Sequence, residues 1–371
     1  MSYAKQKLVD LLAIADVKVD GSRPEDIIVH DERFYKRVLS GGSLALGESY
    51  MDGWWDCDSL DVLFYKILKS NIQHAVKNHF EKFVVNTANK LFNYQSKARS
   101  FIVGEKHYDL GNDLYQAMLD KRLVYTCAYW PNAKNLDEAQ EAKLDLVCRK
   151  LGLKPGMKVL DIGCGWGSFA KFAAEKYGVS VTGITISKEQ VALAKELCAG
   201  LPVEILLQDY RDTVGEYDAI VSLGMFEHVG RKNYREYMEV SHRCLKDNGL
   251  FLLHTIGADV RAATTDPWIL KYIFPNGELP ALKDIPVSFE KLFIMEDWHN
   301  FGPDYDKTLM AWHNNFVTNW DKFKSQYSER FYRMWRYYLL CCAGSFRARH
   351  GELWQIVLSK GGVKGGYKSV R

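Results

Sequence analysis

Apolar positions change rhythm along this chain. In KQKLVDLLAIADV near the start and in DEAQEAKLDLVCRKLGL before residue 155, they recur at three and four, the spacing of one helical face. Beyond that point they condense into short β-branched runs. VLDI, VSVTGITIS, PVEILLQDYRD, EYDAIVSLGMFEHVG and GLFLLHTIG predict five strands, while FAKFAAEKYG and KEQVALAKELCAG predict helices between them. Strands alternating with helices imply a parallel sheet with right-handed crossovers. LWQIVLSK, at 353–360, predicts a last strand after a long aromatic helical stretch. Ligands of such sheets sit at the carboxyl ends of the strands, near the switch in strand order.

The N-terminal pattern is different. GSRPEDIIVHD reads as a turn and a short strand, and ERFYKRVLSGG as a helix ended by glycine. With Tyr50, Trp54 and Trp55 beside small and acidic residues, this predicts a small, mainly helical N-terminal domain over 1–80 with a Trp-rich core. A connector is expected over 81–104 and a catalytic domain over 105–371. Phe80, Phe83, Val84, Thr87, Ala88, Leu91 and Phe92 share one helical face, with Lys77, Lys82 and Lys90 away from it. Such a face can lie on an anionic membrane, on its own protein or on a second copy.

Charge sharpens this picture. The chain totals +3, which does not point to nucleic acid, but residues 66–106 carry eight basic side chains against Glu81 and Glu105, a local balance of +6. No basic start is followed by an apolar run, and no apolar run nears the ~18 residues that span a bilayer. A soluble, cytoplasmic protein is therefore expected. Eight scattered cysteines with no C-x-x-C pair predict free thiols and no metal.

The chemistry is expected at KVLDIGCGWGS, Lys158 to Ser168. Glycines at 163, 165 and 167 let backbone amides approach a ligand that side chains would block. The order D-x-G-x-G-x-G is not the dinucleotide pattern G-x-G-x-x-G. Asp161 is a poor neighbour for a phosphate and a good one for an ammonium. The stretch resembles motif I of the Rossmann-like methyltransferases, which implies S-adenosylmethionine held along Leu160, Asp161, Ile162, Gly163, Cys164, Gly165, Trp166, Gly167 and Ser168. After the second strand, Thr185, Ile186, Ser187 and Gln190 replace the usual acid with a hydroxyl and an amide. After the third, Gln208, Asp209 and Tyr210 stand where adenine is expected, and the lead-in adds Tyr125 and Thr126.

YTCAYW, GITISKEQ, QDYRD, GMFEHVG, LLHTIG, DPWILKYIFPNGELP, MEDWHNFGPDYDKTLMAWHNNF and CAGSFRAR together resemble the cyclopropane-fatty-acyl-phospholipid synthases, closely over about 105–371. The resemblance implies an α/β fold: a class I methyltransferase sheet with a helical insertion, plus the small N-terminal domain. It implies methylene transfer from S-adenosylmethionine to cis double bonds of membrane phospholipid acyl chains, through a carbocation that loses a proton to a bound bicarbonate. The bicarbonate ligands map onto Cys127, Glu227, His254, Tyr305 and the Ile256 backbone. Protons must then be shared among these groups, or His254 must be charged. Cys342 matches a cysteine treated as catalytic in the family, although this chemistry needs no covalent step. A homodimer attached peripherally to the inner face of the membrane is also implied. Two rivals stay open: a fatty-acyl C-methyltransferase giving methyl-branched chains, and an inactive membrane-binding protein.

Overall fold

The computed structural model describes residues 2–70, 111–260 and 265–371. The connector expected over 81–104, and Lys77 with it, lies outside the described residues. Two compact units divide the chain.

The sheet unit comprises the described residues of Asn93–Arg261, Asn276–Asp304 and Glu352–Arg371. Its strands are β3 (Lys158–Ile162), β4 (Ser180–Thr185), β5 (Val203–Leu207), β6 (Tyr217–Leu223), β7 (Leu245–Gly257), β8 (Ile294–Asn300) and β9 (Glu352–Ser359). They lie in the order β5-β4-β3-β6-β7-β9-β8. The five predicted strands β3 to β7 pair in parallel, whereas β9 is antiparallel to both β7 and β8. The sheet is therefore mixed. The eighth strand of the chain was not legible because its residues, IMEDWHN, show no apolar alternation: it is an edge strand with one buried position, Asp297.

β3 is the first strand laid down, and the chain builds outward from it on one side through β4 and β5, then on the other through β6 and β7. The switch point is thus between β3 and β6, where the motif glycines emerge. Apolar residues cover both faces. Leu160, Ile162, Ile220, Phe251 and Leu253 face one core, and Val159, Val181, Ala219, Val221 and Leu252 the other, as alternation along a strand requires. The helices flanking β3 are α5 (Leu136–Lys150) and α6 (Ser168–Tyr177). Asn135 caps α5 by accepting from the Glu138 N–H, while the Glu138 carboxylate takes the Asn135 amide in return. Shorter helices are α4 (Asn112–Met118), α7 (Lys188–Leu197), α8 (Tyr234–Cys244) and α10 (Asp284–Phe289).

The helical unit gathers the described residues of Met1–Phe92 with those of Ala262–Pro275 and Tyr305–Gly351. It holds α1 (Tyr3–Ile14), the two-residue strands β1 (Ile28–Val29) and β2 (Trp55–Asp56), α2 (Arg33–Met51), α3 (Leu60–Lys69), α9 (Pro267–Tyr272), α11 (Pro303–Asn319) and α12 (Glu329–Arg347). Glycine breaks α2 as expected, because Gly42 leaves helical geometry and a second helical segment begins beyond it. The kink falls at Gly42, where φ is +56°, and it separates the two helical halves of α2. Trp55 fills the core, its indole N–H donating to Leu46 O and Ser49 Oγ. Trp54 instead carries the Arg33 and Arg37 guanidiniums over its ring, at 4.6 and 4.5 Å from the centroid. α12 binds the N-terminal segment through buried backbone as well as charge: Arg333 donates to the carbonyls of Tyr50 and Trp55, and Arg347 pairs with Asp61. A side chain at Gly344 would meet Asp61 O at 2.6 Å, so α3 and α12 touch backbone to backbone.

Among the described residues no helix is long and apolar enough to cross a membrane, and no cluster of ligating side chains could hold a metal ion.

Candidate active site

The turn after β3 is built to leave room. Gly163, Gly165 and Gly167 all adopt positive φ, +83°, +55° and +78°. A Cβ at Gly165 would meet nothing within 4 Å, while at Gly163 it would strike the Met225 side chain at 2.7 Å. The first glycine thus lets the turns after β3 and β6 pass, and the second opens toward a ligand. The amides of Gly163 and Cys164 both donate to Ile184 O, which ties the turn to β4.

Asp161 lies on β3, 2% exposed, and its Oδ2 has no hydrogen-bond partner among the described residues. Burial drives its pKa up to about 7 even with the Lys143 ammonium opposing it. A buried carboxyl with an unpartnered oxygen beside an open glycine cradle fits a cationic ligand, as the ammonium and sulfonium of S-adenosylmethionine require. Further along the switch-point edge, Thr185 Oγ1 hydrogen-bonds Gln190 Oε1 at 2.8 Å, and Ser187 caps α7 through the Gln190 N–H. Asp209 is engaged by Arg211 through backbone and guanidinium, Gln208 by Thr213, and the buried Tyr210 ring meets Tyr237 edge-on. Trp166 packs on Tyr115, which in turn meets Tyr125.

The ends of β6 and β7 carry the second half of the site. Gly224 N–H donates to His254 O, so the turn after β6 is fixed directly to β7. A Cβ at Gly224 would clash with the Thr126 methyl at 2.5 Å, which places the Thr126–Cys127 step against that turn. Glu227 accepts the Ile256 N–H at 2.6 Å on Oε1, whereas its buried Oε2 has no partner among the described residues. His254, 1% exposed, lies opposite Gln355 on β9 with Nδ1 3.3 Å from the amide nitrogen, and its Nε2 is likewise unpartnered among the described residues. Burial sets both protonation states. The Glu227 carboxyl is pushed up to about 7, and the imidazole well below its usual value by desolvation and then by the Lys143 and Lys150 ammoniums. At neutral pH the site therefore holds a neutral imidazole and a carboxyl poised between its two forms. Each presents one polar atom with nothing to satisfy it, which suits a small anion able to accept and donate.

Cys127, fully buried, shares the sheet unit with Glu227, His254 and Ile256. Tyr305 and Cys342 belong to the helical unit. Tyr305 is buried there against Phe346 and Trp312, and Cys342 is half-buried on α12. Sequence reasoning missed Gln140 and Lys143, both wholly buried on α5. Their signal was present: Leu136, Gln140, Lys143 and Val147 fall on one helical face, so a polar pair interrupts an apolar stripe.

The family described as mycolic acid cyclopropane synthetase matches residues 95–356. A cyclopropane-fatty-acyl-phospholipid synthase of Escherichia coli K12 is 56% identical over 362 residues, covering 98% of this chain and 94% of that protein. A probable fatty acid methyltransferase of Pseudomonas putida is 40% identical over 68% of each chain. Among solved structures, the cyclopropane synthase MmaA2 of Mycobacterium tuberculosis superposes with a TM-score of 0.67 at 32% identity, covering 70% of this chain and 98% of that one. The mycolic acid cyclopropane synthase CmaA1 complexed with SAH and CTAB gives 0.66 at 34% identity, with the same coverage. A family match over most of the chain, joined to a likeness that runs nearly end to end, leaves one assignment: the chain belongs to the mycolic acid cyclopropane synthetase family.

Proposed function

We propose that the protein converts cis double bonds of unsaturated phospholipid acyl chains into cyclopropane rings, taking the ring carbon from S-adenosylmethionine. The near full-length likeness to a cyclopropane-fatty-acyl-phospholipid synthase supports the reaction and its substrate class. The observation that carries the chemistry is the pair of unpartnered buried atoms, Glu227 Oε2 and His254 Nε2, at the strand ends beside the glycine turn. S-adenosylmethionine supplies a methyl cation to the alkene, and the ring closes when the resulting carbocation loses a proton from that methyl. A proton so acidic needs a weak base in the right place.

Bicarbonate, when bound, supplies such a base, and the residues present fit it. Glu227 in its neutral form would donate from Oε2, while the Ile256 N–H fixes Oε1. A neutral His254 would add Nε2, and Cys127, in the lead-in that packs against the turn after β6, is assigned to the same anion on its sequence pattern. Of the two ways to reconcile a carboxyl with an anion, burial favours a shared proton on Glu227 over a charged His254. Tyr305 is assigned to the same anion on its sequence pattern alone, and Cys342 is given no step. Thr185, Gln190, Gln208, Asp209 and Tyr210 border the nucleoside end.

With methyl-deuterated S-adenosylmethionine and vesicles of unsaturated phospholipid, mass spectrometry should show a lipid gaining one methylene that keeps two of the three deuteriums. Retention of all three would mean a methyl-branched product, and no heavier lipid would end the proposal.

The basic stretch over 66–106 is proposed to hold the protein, as a homodimer, against the inner membrane face. Replacing Lys77, Lys82 and Lys90 together by Gln should weaken binding to anionic vesicles by roughly 3 kcal/mol at low salt, at about 1 kcal/mol per basic residue. It should also flatten the salt dependence. Sedimentation with vesicles that finds no change would assign this stretch to protein contacts.

A further inference from the structure

The lead-in segment between α4 and α5 has no regular secondary structure, yet it delivers Tyr125, Thr126 and Cys127 to the site. Something must hold it. Asp120 fixes the entrance by accepting the N–H groups of Arg122 and Val124. Beyond that turn the anchors are side chains of α5. Gln140 Nε2 donates to Thr126 O at 2.9 Å and to Val124 O at 3.3 Å. Two carbonyls demand a donor, so the orientation of this amide is unambiguous. One turn on, Lys143 Nζ donates to Thr126 Oγ1 at 2.9 Å. The hydroxyl so held sets the Thr126 methyl, which packs where Gly224 leaves space for it at the end of β6.

An apolar pair would pack more cheaply against the surrounding Leu136, Ala139, Leu144 and Val147. An ammonium buried without full solvation costs several kcal/mol. Neither side chain is exposed, and the Lys143 ammonium donates to a hydroxyl and not to a carboxylate. Its charge nevertheless acts on Asp120, Cys127 and Asp161, and on His254. Buried polarity that stability alone does not favour marks a position kept for geometry.

We infer that Gln140 and Lys143 are positioning residues for the reaction, clamping the Val124–Cys127 backbone and the Thr126 hydroxyl so that this segment meets the turn after β6 in one register. The inference rests on the function proposed above, because it gives that segment its role. It assigns neither residue a contact with substrate.

The test uses the full chain with Lys143→Met and Gln140→Met, both close in volume to the original. Hydrogen exchange of the 124–128 amides in the free protein should accelerate about tenfold or more, with β3, β6 and β7 unchanged. Turnover should fall about tenfold, and in Gln140→Met, which leaves the charge near Asp161 in place, KM for S-adenosylmethionine should stay within about threefold, as expected when positioning and not uniform binding is lost. Lys143→Met should melt no lower than the parent, because it removes a buried charge. Lys143→Gln, which keeps a donor, should recover part of both protection and turnover. Exchange at 124–128 within twofold of the parent in the folded variants overturns the inference, as does unchanged turnover despite faster exchange. Should Lys143→Met not fold, Gln140→Met carries the same two readouts. An unmodified protein with no turnover on unsaturated lipid would defeat the proposed function, whereas the exchange experiment reads the clamp without it.

Discussion

Glu227→Gln is expected to cut turnover by about 10²–10⁴-fold, the usual worth of a positioned proton-transfer group, while SAH affinity by calorimetry stays within about twofold. The substitution is close to isosteric. Its carbonyl still accepts the Ile256 N–H that Glu227 Oε1 takes at 2.6 Å, so the strand end should keep its shape. An amide on the other branch can donate to an anion, but it can neither give nor take a proton. The pH behaviour separates these roles. Burial holds the Glu227 carboxyl at about 7, against the Ile256 N–H, whose hydrogen bond favours the charged form. An anion bound alongside penalises the carboxylate further, so anion binding is linked to proton uptake. The bicarbonate requirement of the parent should therefore rise about tenfold per pH unit above about 7, and that of Glu227→Gln should stay flat. Equal loss of SAH affinity and turnover would show that Glu227 belongs to the nucleoside pocket and not to the proton path.

How much of this site could be read in the sequence depended on whether local pattern or tertiary context carried the signal. The motif glycines were legible because positive φ is written in residue type, and all three adopt it. Strands β3, β6 and the second half of β7 were legible because residues buried on both faces must be continuously apolar, and the edge strand β5 because its residues VEILL are mostly apolar even where they are not buried. β8 was not, since an edge strand has little to bury and its one buried residue is an aspartate. The segment Glu329–Arg347 reads as helix, but nothing local says that its arginines serve Tyr50, Trp55 and Asp61, nearly three hundred residues earlier. Gln140 and Lys143 interrupt an apolar stripe and still escape notice, because a glutamine and a lysine on a helix ordinarily face water. The protonation of the site was also beyond sequence. The choice between a charged His254 and a neutral Glu227 turns on the depth of burial and on two lysines, Lys143 and Lys150, that only the fold brings near.

Asp161→Asn is expected to weaken S-adenosylmethionine and SAH binding by about 10²-fold or more, because a charged partner in a buried pair is worth about 3–5 kcal/mol when removed. The same substitution should stabilise the free protein. Burial raises the Asp161 pKa from 3.8 to about 7, so folding favours the protonated form. The sign follows: stability linked to this group is fully present below about 3.8 and is lost as pH rises toward 7. Asparagine behaves as a permanently neutral aspartic acid, so the variant should match the parent in acid and exceed it near neutrality. At about 1.4 kcal/mol per pH unit, the gain is at most a few kcal/mol, read as a higher melting temperature at pH 7 than the parent shows. Cation binding reverses the linkage, since the ligand needs the carboxylate. Parent affinity should therefore climb about tenfold per pH unit up to about 7 and then level off, and the variant should show no such climb. Burial thus brings Asp161 and Glu227 to the same poised value, and the opposite charges of the two proposed ligands would drive them apart, one to carboxylate and one to acid. A variant that binds SAH normally, or melts lower at pH 7 than the parent, would mean that Asp161 is a structural residue of β3 and that the cation is held elsewhere.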